Sequence, residues 1–374
     1  MAAEDSKIYS TGEGSRLCGL DLLRIVLMIM VCVLHALNQF GTLFVQGVSA
    51  DFTMYFSMLL EMLSVMAVNT WIIMSGYLLV RTDFKLKRFL ELLMTVLFYA
   101  FLVAAVFYTL KAVFDIDIAS ITGDRHSSVT GIFGFIQGLF PISSEYYFFM
   151  TGYLLLYIIS PILNLGAQKI SKKSFQLLLV LLITWCSLIK SLIPVNFASD
   201  DAGYGFKWFV CLYFVGAYLR LHCNDNKMSN NKWLFIYLIS AIINYGISVI
   251  LFAINGMTGG FSYFMYVSLQ YNFILNLIAA IGLFMFFKNI NIHRSMVGAL
   301  KYIAGHTLGV YLLHAHPLLF NSWKGLIAIP IGNPPTENTV YFLIYLFVCV
   351  FILFSAGIIV DIIRAALFKT VKWI

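Results

Sequence analysis

Long runs of apolar residues follow one another along most of the chain, separated by short polar segments. A membrane-spanning helix needs about 20 consecutive apolar residues, and a backbone inside lipid must satisfy its own hydrogen bonds. The runs are too long for the strands of a membrane barrel, which have about 10 residues each. The pattern therefore predicts an all-α polytopic membrane protein, one bundle of about ten transmembrane helices. The ten predicted spans are residues 18–40, 53–80, 88–113, 145–166, 174–195, 205–221, 232–254, 263–287, 298–321 and 339–367.

The composition agrees with a membrane protein and excludes other classes. Of the 374 residues, 61% are hydrophobic and 11% are charged, whereas charged residues make up about a quarter of an ordinary soluble domain. A disordered chain and a disulfide-rich secreted scaffold are both excluded, because apolar residues dominate. The cysteines lie in or beside apolar runs, so we expect neither disulfides nor a cysteine metal site.

The distribution of Lys and Arg predicts how the helices are oriented. With the N-terminus in the cytoplasm, 18 of the 24 Lys and Arg lie on the cytoplasmic side and 5 on the other, and Arg24 lies inside the first helix. Positive residues concentrate in cytoplasmic loops, so both termini are predicted to be cytoplasmic. Residues 1–17 would then form a cytoplasmic segment ahead of a membrane domain at 18–374. This topology accounts for most of the net charge of +7 without nucleic-acid binding.

Two ionisable residues, Arg24 and His35, lie inside the first predicted helix. Such residues are costly in a membrane unless they face water, a partner or the bundle interior, which makes them functional candidates. Their separation of eleven residues corresponds to three helical turns plus roughly 20° and to about 16 Å along the axis. Both side chains therefore share one face. Alternatively, Arg24 extends to the lipid headgroups while His35 only bonds to a neighbouring helix, and the spacing alone does not decide.

The second predicted helix ends in small residues that are followed by a basic run. Ser75 and Gly76 would let another helix or a ligand approach the backbone closely, and Tyr77 is expected in the interfacial aromatic belt. Lys85 and Arg88 share a helix face and could bind phosphates. Alternatively, the basic run binds no ligand and only fixes the orientation of the neighbouring helices in the membrane. The full basic run is Arg81, Lys85, Lys87 and Arg88.

Further polar candidates lie on the predicted outer side. His314 and His316 fall in the outer half of the ninth span, where positions i and i+2 face about 200° apart, so the two cannot ligate one metal on a helix. One of them could face the same cavity as His35, although helix packing is the simpler role for either. Glu145 and Tyr147 open the fourth span, and a carboxylate beside aromatic rings suits polyols, although an aromatic belt is the default explanation.

Several of these motifs occur in a fixed order along the chain. They are Arg16-Leu-Cys-Gly19-Leu-Asp21-Leu-Leu-Arg24, then His35, then Ser75-Gly76-Tyr77 with the basic run, then Tyr153-Leu-Leu-Leu-Tyr157-Ile-Ile-Ser160-Pro161-Ile-Leu-Asn164, Phe214-Val-Gly216-Ala-Tyr218 and Gly309-Val-Tyr311-Leu-Leu-His314. Together they resemble the membrane acyltransferase 3 family of bacterial O-acyltransferases, over nearly the whole chain.

The resemblance implies transfer of an acyl group, commonly acetyl, from cytoplasmic acyl-CoA to a hydroxyl of an extracytoplasmic glycan or lipid-linked sugar. It implies essential roles for Arg24 and His35 in a bacterial plasma membrane protein. The family tends to have Arg-x-x-Arg before the third helix; here Lys85 and Arg88 are followed by Glu91, so the bidentate arginine geometry is partly lost. Some relatives carry a fused soluble esterase-like domain. None is seen here, so the membrane domain is expected to work alone or with a separate extracytoplasmic partner.

Chemical reasoning leads in the same direction. Acyl-CoA carries negative phosphates, so it should dock at the basic inner rim formed by Arg24 and the basic run, together with Ser75 and Tyr77. Glu145, Tyr147, His314 and His316 are assigned to the acceptor, and no metal is expected. His35 would serve as general base or as a transient acyl carrier. A small-solute transporter and a non-catalytic sensory or partner-binding module are the competing functions, although no inverted repeat supports a transporter.

Overall fold

The computed structural model describes residues 13–44, 52–122, 141, 147–193, 201–223 and 228–370, and within these ranges the chain is helical with no strand. The apolar runs form helices because each helix satisfies its own backbone in lipid. The helices are α1 (Glu13–Phe40), α2 (Phe52–Ser64), α3 (Ala67–Leu79), α4 (Leu86–Phe114), α5 (Ile118–Thr122), α6 (Phe148–Lys169), α7 (Lys172–Ile183), α8 (Ile189–Leu192), α9 (Phe206–His222), α10 (Asn230–Thr258), α11 (Ser262–Val267), α12 (Ile274–Lys288), α13 (Val297–His314), α14 (Pro317–Phe320), α15 (Trp323–Ile331) and α16 (Thr339–Thr370).

Eight segments in the described part of the chain are long and apolar enough to cross a membrane. Two of the ten predicted spans correspond to shorter helices: α9 has 17 residues, and α12 has 15. The ten-span count and the cytoplasmic placement of the termini stay predictions. The eight segments are Cys18–Phe40, Phe52–Leu79, Leu86–Phe114, Phe148–Lys169, Lys172–Leu192, Asn230–Thr258, Arg294–His314 and Thr339–Thr370.

Two of the predicted spans are interrupted by non-helical turns. The second breaks between α2 and α3, and the eighth, predicted as continuous over 263–287, is non-helical over 268–273. At the break over 268–273, side-chain amides replace the missing backbone hydrogen bonds. Asn276 Nδ2 donates to the carbonyl oxygens of Ser268 and Gln270, at 3.0 and 2.9 Å. Such breaks are tolerated in a membrane bundle where the freed backbone groups find other partners.

The first two spans form the centre of the bundle. In Cys18–Phe40 and Phe52–Leu79, 61% and 67% of the apolar window is buried, against 39% or less in the other spans. The helix α9 crosses α3 at very short range, since a Cβ added at Gly76 would lie 2.2 Å from the carbonyl oxygen of Tyr213. A Cβ at Gly216 would lie 2.0 Å from the carbonyl oxygen of Ile73. The predicted close approach at Gly76 is therefore that of a helix.

Candidate active site

His35 and His314 meet between α1 and α13. The Nδ1 atom of His35 lies 2.9 Å from Nε2 of His314, and the ring of Phe320 packs edge-on against His35 at 5.1 Å. His314 is only 1% exposed, whereas His35 keeps part of its surface accessible. Of the two outer histidines, His314 is thus the one that contacts His35.

The surroundings of His314 assign the ring protons of both histidines. Its Nδ1 atom bonds to the carbonyl oxygen of Val310, and because a carbonyl can only accept, Nδ1 must donate. In neutral His314 the Nε2 atom is then an acceptor, so Nδ1 of His35 donates to it. The remaining nitrogen of a neutral His35, Nε2, keeps its lone pair. The pair therefore fixes Nε2 as the basic atom of His35.

Arg24 lies about three turns from His35 on α1, where it is paired with an acid of its own helix. Its Nη1 atom is 2.9 Å from Oδ1 of Asp21, and its side chain is 31% exposed. Asp21 is buried and lies within electrostatic range of Lys301 on α13. By helical geometry Asp21, Arg24 and His35 fall within about 60° of one another around α1. The shared face predicted for Arg24 and His35 is thus the face towards α13.

Tyr77 lies beneath two basic side chains. Arg220 Nη1 donates to its hydroxyl at 2.9 Å, with the guanidinium carbon 4.9 Å from the ring centre. Lys288 Nζ lies 5.2 Å from the same ring. Tyr77 is buried, and the ends of α9 and α12 cover its ring. Its place in the interfacial aromatic belt stays a prediction. The hydroxyl of Ser75 donates within α3, to the carbonyl oxygen of Trp71 at 2.9 Å.

The basic run is exposed, and α6 holds the turn that precedes it. Asn164 Nδ2 donates to the carbonyl oxygens of Leu79 and Thr82, at 2.9 and 3.3 Å. Tyr213 OH donates to Asn164 Oδ1 at 2.7 Å, which orients the amide. The guanidinium carbon of Arg88 lies 5.8 Å from the ring centre of Tyr157, also on α6. The exposed basic residues of the run are Arg81, Lys85, Lys87 and Arg88.

An open cleft of about 680 Å³ lies beside this turn. Arg81 contributes a guanidinium beside the carboxylate of Asp83, Asn164 and Gln168 contribute amides, and Phe84 and Leu221 supply apolar surface. A cleft with a cation, amides and apolar walls at the end of a membrane bundle has the chemistry to hold a phosphorylated nucleotide.

The other predicted acceptor residues have structural contacts. Tyr147 is buried and donates to the carbonyl oxygen of Leu312 at 2.8 Å. His316 is buried at the start of α14, where its Nδ1 atom accepts from the Leu318 amide at 3.2 Å. Both residues thus fix the end of α13 that carries the histidine pair. Glu145 lies outside the described residues. Substrate binding by these side chains stays a prediction.

Two carboxylates within predicted spans, the buried Asp361 and the partly buried Glu61, were not among the residues predicted from the sequence. Asp361 accepts from Tyr99 OH at 2.9 Å, His306 Nδ1 at 2.7 Å and Arg364 Nε at 2.7 Å, and it joins α4, α13 and α16. Glu61 lies on α2, with an Oε2 atom inaccessible to solvent. Both acids lie in apolar runs. An ionisable residue within a membrane helix is a functional candidate, and this criterion, which identified Arg24 and His35, applies to these two acids as well. Within the described ranges no group of three or more His, Cys, Asp or Glu is placed to hold a metal ion.

Comparison with protein families gives a match over most of the chain. A family model described as an acyltransferase domain matches residues 19–359, nearly the whole chain. The matched region includes the histidine pair, Arg24 and the turn held by α6. No curated protein and no solved structure matches the chain.

Proposed function

Because the chain belongs to the acyltransferase 3 family, a family of membrane acyltransferases, we propose that it moves an acyl group, such as acetyl, from cytoplasmic acyl-CoA to a hydroxyl. The hydroxyl belongs to an extracytoplasmic glycan or lipid-linked sugar. The observation that carries the proposal is the contact of His35 with His314. It leaves Nε2 of His35 as a basic atom, and His35 lies in one of the two most buried spans.

His35 acts as the general base in this proposal. Its Nε2 atom takes the proton of the acceptor hydroxyl while the oxygen forms a bond to the thioester carbonyl carbon. The C–S bond then breaks, and the proton passes from Nε2 to the departing CoA thiolate. During the step the imidazolium of His35 still donates through Nδ1 to His314, which stabilises the charge. General base catalysis of this kind contributes a factor on the order of 10² to 10⁴.

The acyl-CoA donor binds at the basic rim. Arg24 uses one donor group on Asp21, and a guanidinium has five, so the others can reach a phosphate or the thioester. The cleft at Arg81 and the cations over Tyr77 lie at the same end of α3 as the basic run. The remaining donor contacts come from Lys85, Lys87, Arg88 and Ser75. No metal takes part.

The proposed setting is the plasma membrane of a bacterium. The distribution of positive residues supports cytoplasmic termini, with a segment at 1–17 ahead of the membrane domain at 18–374. The basic rim then faces the cytoplasm, where acyl-CoA is found, and the acceptor enters from the opposite side. A separate extracytoplasmic partner could receive the acyl group for onward transfer.

The proposal is tested with purified protein in lipid nanodiscs, by following release of CoA from acetyl-CoA in the presence of sugar acceptors. The variant His35→Ala is expected to lose at least 10²-fold in rate while still eluting as folded protein. His293→Ala, which alters an exposed histidine, serves as the matched control and is expected to keep full activity.

Several outcomes discriminate between the functions. Wild-type activity in folded His35→Ala would remove His35 from the mechanism. An acyl group trapped on the His35 ring would make it a covalent carrier in place of a base. Flux of a small solute in proteoliposomes, with no consumption of thioester, would support a transporter. Binding of acetyl-CoA without turnover by any acceptor would support a sensory module.

A further inference from the structure

Two basic side chains from different helices converge on the ring of Tyr77. Arg220 lies in the last turn of α9 and Lys288 in the last turn of α12. Their distances to the ring centre, 4.9 and 5.2 Å, place the two cations within about 10 Å of each other, roughly one Debye length at 0.1 M salt. A helix C-terminus favours a positive charge, which explains each cation but not their convergence. Like charges at this distance repel each other, and an anion beside both would remove the repulsion.

The crossing of α3 and α9 fixes this arrangement. Gly76 precedes Tyr77, and Arg220 follows Gly216 by about one helical turn, so the close approach of the two backbones at the glycines brings the guanidinium to the phenol. Arg220 Nη1 donates to Tyr77 OH at 2.9 Å. Among the described residues Arg220 forms a salt bridge with no carboxylate. Since a guanidinium has five N–H donors, most of them remain available to a ligand.

The open cleft lined by Arg81 begins four residues after Tyr77 in the chain. Its lining includes both the guanidinium of Arg81 and the carboxylate of Asp83, which can accept a hydrogen bond from a hydroxyl or amino group. Phe84 supplies an aromatic ring. His222 also lines the cleft, and its Nε2 atom has no hydrogen-bond partner among the described residues. A ring face with donors and acceptors around it suits a nucleoside.

The two parts differ in depth. Tyr77 is 7% exposed, whereas Arg81 is exposed at the mouth of the cleft. In acyl-CoA the thioester arm leads to a diphosphate, and the diphosphate leads to adenosine, whose ribose carries a separate 3′-phosphate. A donor whose thioester reaches into the bundle towards His35 therefore presents its diphosphate to the deeper part and its nucleoside to the outer part.

We infer that the donor binds in two parts, with its diphosphate on Arg220 and Lys288 beside Tyr77 and its adenosine in the cleft, where Arg81 binds the 3′-phosphate. Guanidinium and ammonium groups form strong, charge-assisted hydrogen bonds with phosphate oxygens. The identity of the donor rests on the proposed function. The inference adds to the donor site two helices, α9 and α12, that carry none of the donor residues predicted from the sequence.

The test uses two fragments of the donor, and each fragment fills one part of the site. Dephospho-CoA keeps the diphosphate and lacks the 3′-phosphate, whereas adenosine 3′-phosphate keeps the 3′-phosphate and lacks the diphosphate. Binding of CoA and of both fragments to the full chain in nanodiscs is measured by isothermal titration calorimetry. No acceptor is added, so binding is observed without transfer.

Arg220→Gln is expected to weaken binding of CoA and dephospho-CoA at least tenfold, because charge-assisted hydrogen bonds to the diphosphate are lost. Its binding of adenosine 3′-phosphate should equal that of the wild type, which a general disturbance of the fold would not allow. Arg81→Gln should show the opposite selectivity, with weaker binding of CoA and adenosine 3′-phosphate and normal binding of dephospho-CoA. Arg294→Gln, at an exposed arginine, is the matched control and should bind all three ligands normally.

A competition experiment needs no variant. Inorganic pyrophosphate should displace dephospho-CoA from the wild-type protein, since both would bind the cations beside Tyr77, and it should leave adenosine 3′-phosphate bound. Lys288→Gln gives a second variant should Arg220→Gln not fold, and the same selectivity is expected of it.

The opposite selectivities of Arg220→Gln and Arg81→Gln support the two-part site even if wild-type protein transfers no acyl group; in that case the proposed function fails alone. Equal losses for both fragments in either variant, unchanged binding in folded Arg220→Gln, or no binding of CoA by the wild type overturns the site even if transfer occurs. A loss in Arg294→Gln as large as that in Arg220→Gln overturns it in favour of general attraction to the basic surface.

Discussion

The Nδ1 atom of His35 donates to Nε2 of His314, which in turn donates through its own Nδ1 to the carbonyl oxygen of Val310. The chain of two rings ends on a backbone group that cannot donate. It therefore sets the tautomer of His35 and holds the ring in one orientation. His314 is a positioning residue in this arrangement, and its contribution can be separated from donor binding.

Replacing His314 by Leu is expected to lower kcat about 10- to 100-fold, because the buried Nδ1–H of His35 loses its acceptor. The KM for acetyl-CoA should change little, since the basic rim is untouched. His314→Gln restores an acceptor oxygen near the position of Nε2 and should recover part of kcat. Equal losses in the Leu and Gln variants would show that His314 acts through packing alone. Steady-state kinetics with both variants distinguishes the two results.

Asn164→Leu is expected to raise the KM for acetyl-CoA about three- to tenfold, with a smaller effect on kcat. The amide holds the turn that carries Arg81, and a net hydrogen bond of about 0.5–1.5 kcal/mol is lost. Gln176→Leu removes an exposed amide that bonds Tyr218 on α9 and is the control. A fall in kcat with no change in KM would contradict a role for Asn164 at the donor site.

Asp361→Asn is expected to lower the free energy of unfolding by about 3 kcal/mol, because Arg364 would lose a buried counter-charge and the hydrogen bond with His306 would be disturbed. The side chain of Asp361 is 2% exposed. Asp117→Asn affects the exposed pair with Lys111, whose side chains are 56% and 40% exposed, and should cost less than about 1 kcal/mol. Thermal unfolding of both variants in one detergent makes the comparison. Similar melting temperatures for the two would refute the structural importance of Asp361.

Gly216→Ala is expected to destabilise the protein by about 1–3 kcal/mol, since the new methyl group would overlap the carbonyl oxygen of Ile73. Gly246→Ala lies in α10 with nothing within 4 Å of the added carbon and should be neutral or stabilising by up to about 1 kcal/mol. Chemical or thermal unfolding checks the pair. A neutral Gly216→Ala would mean that α3 and α9 can separate without cost.

Much of the fold follows from the apolar runs, because a helix of about 20 such residues is the simplest structure that lipid allows. The breaks do not follow from the runs. The segment at 268–273, Ser-Leu-Gln-Tyr-Asn-Phe, is more polar than the spans around it, but polarity alone does not place a turn. Its carbonyl oxygens accept from distant amides such as Asn69 and Asn244. Such partners are brought together only by the tertiary structure.

Only part of the candidate site could be predicted, because the sequence shows spacing along one helix but not contacts between distant helices. Helix geometry gives the shared face of Arg24 and His35, since it depends only on spacing along one element. The partner of His35 depends on where α13 ends: His314 is its last residue, and His316 belongs to the start of α14. The surroundings of Tyr77 could not be foreseen, because Arg220 and Lys288 come from helices that are distant in sequence.

The helices α1 and α13 lie side by side at two levels: Asp21 is within electrostatic range of Lys301, and His35 contacts His314. They therefore run in the same direction. Two parallel neighbours require an odd number of crossings between them. Of the described helices, five long segments lie between α1 and α13 in the chain, and α9 and α12 are the two that are too short to be certain of crossing by length. Among the described helices, parity then couples these two: either both cross the bilayer or neither does, which gives ten or eight crossings for the described part of the chain.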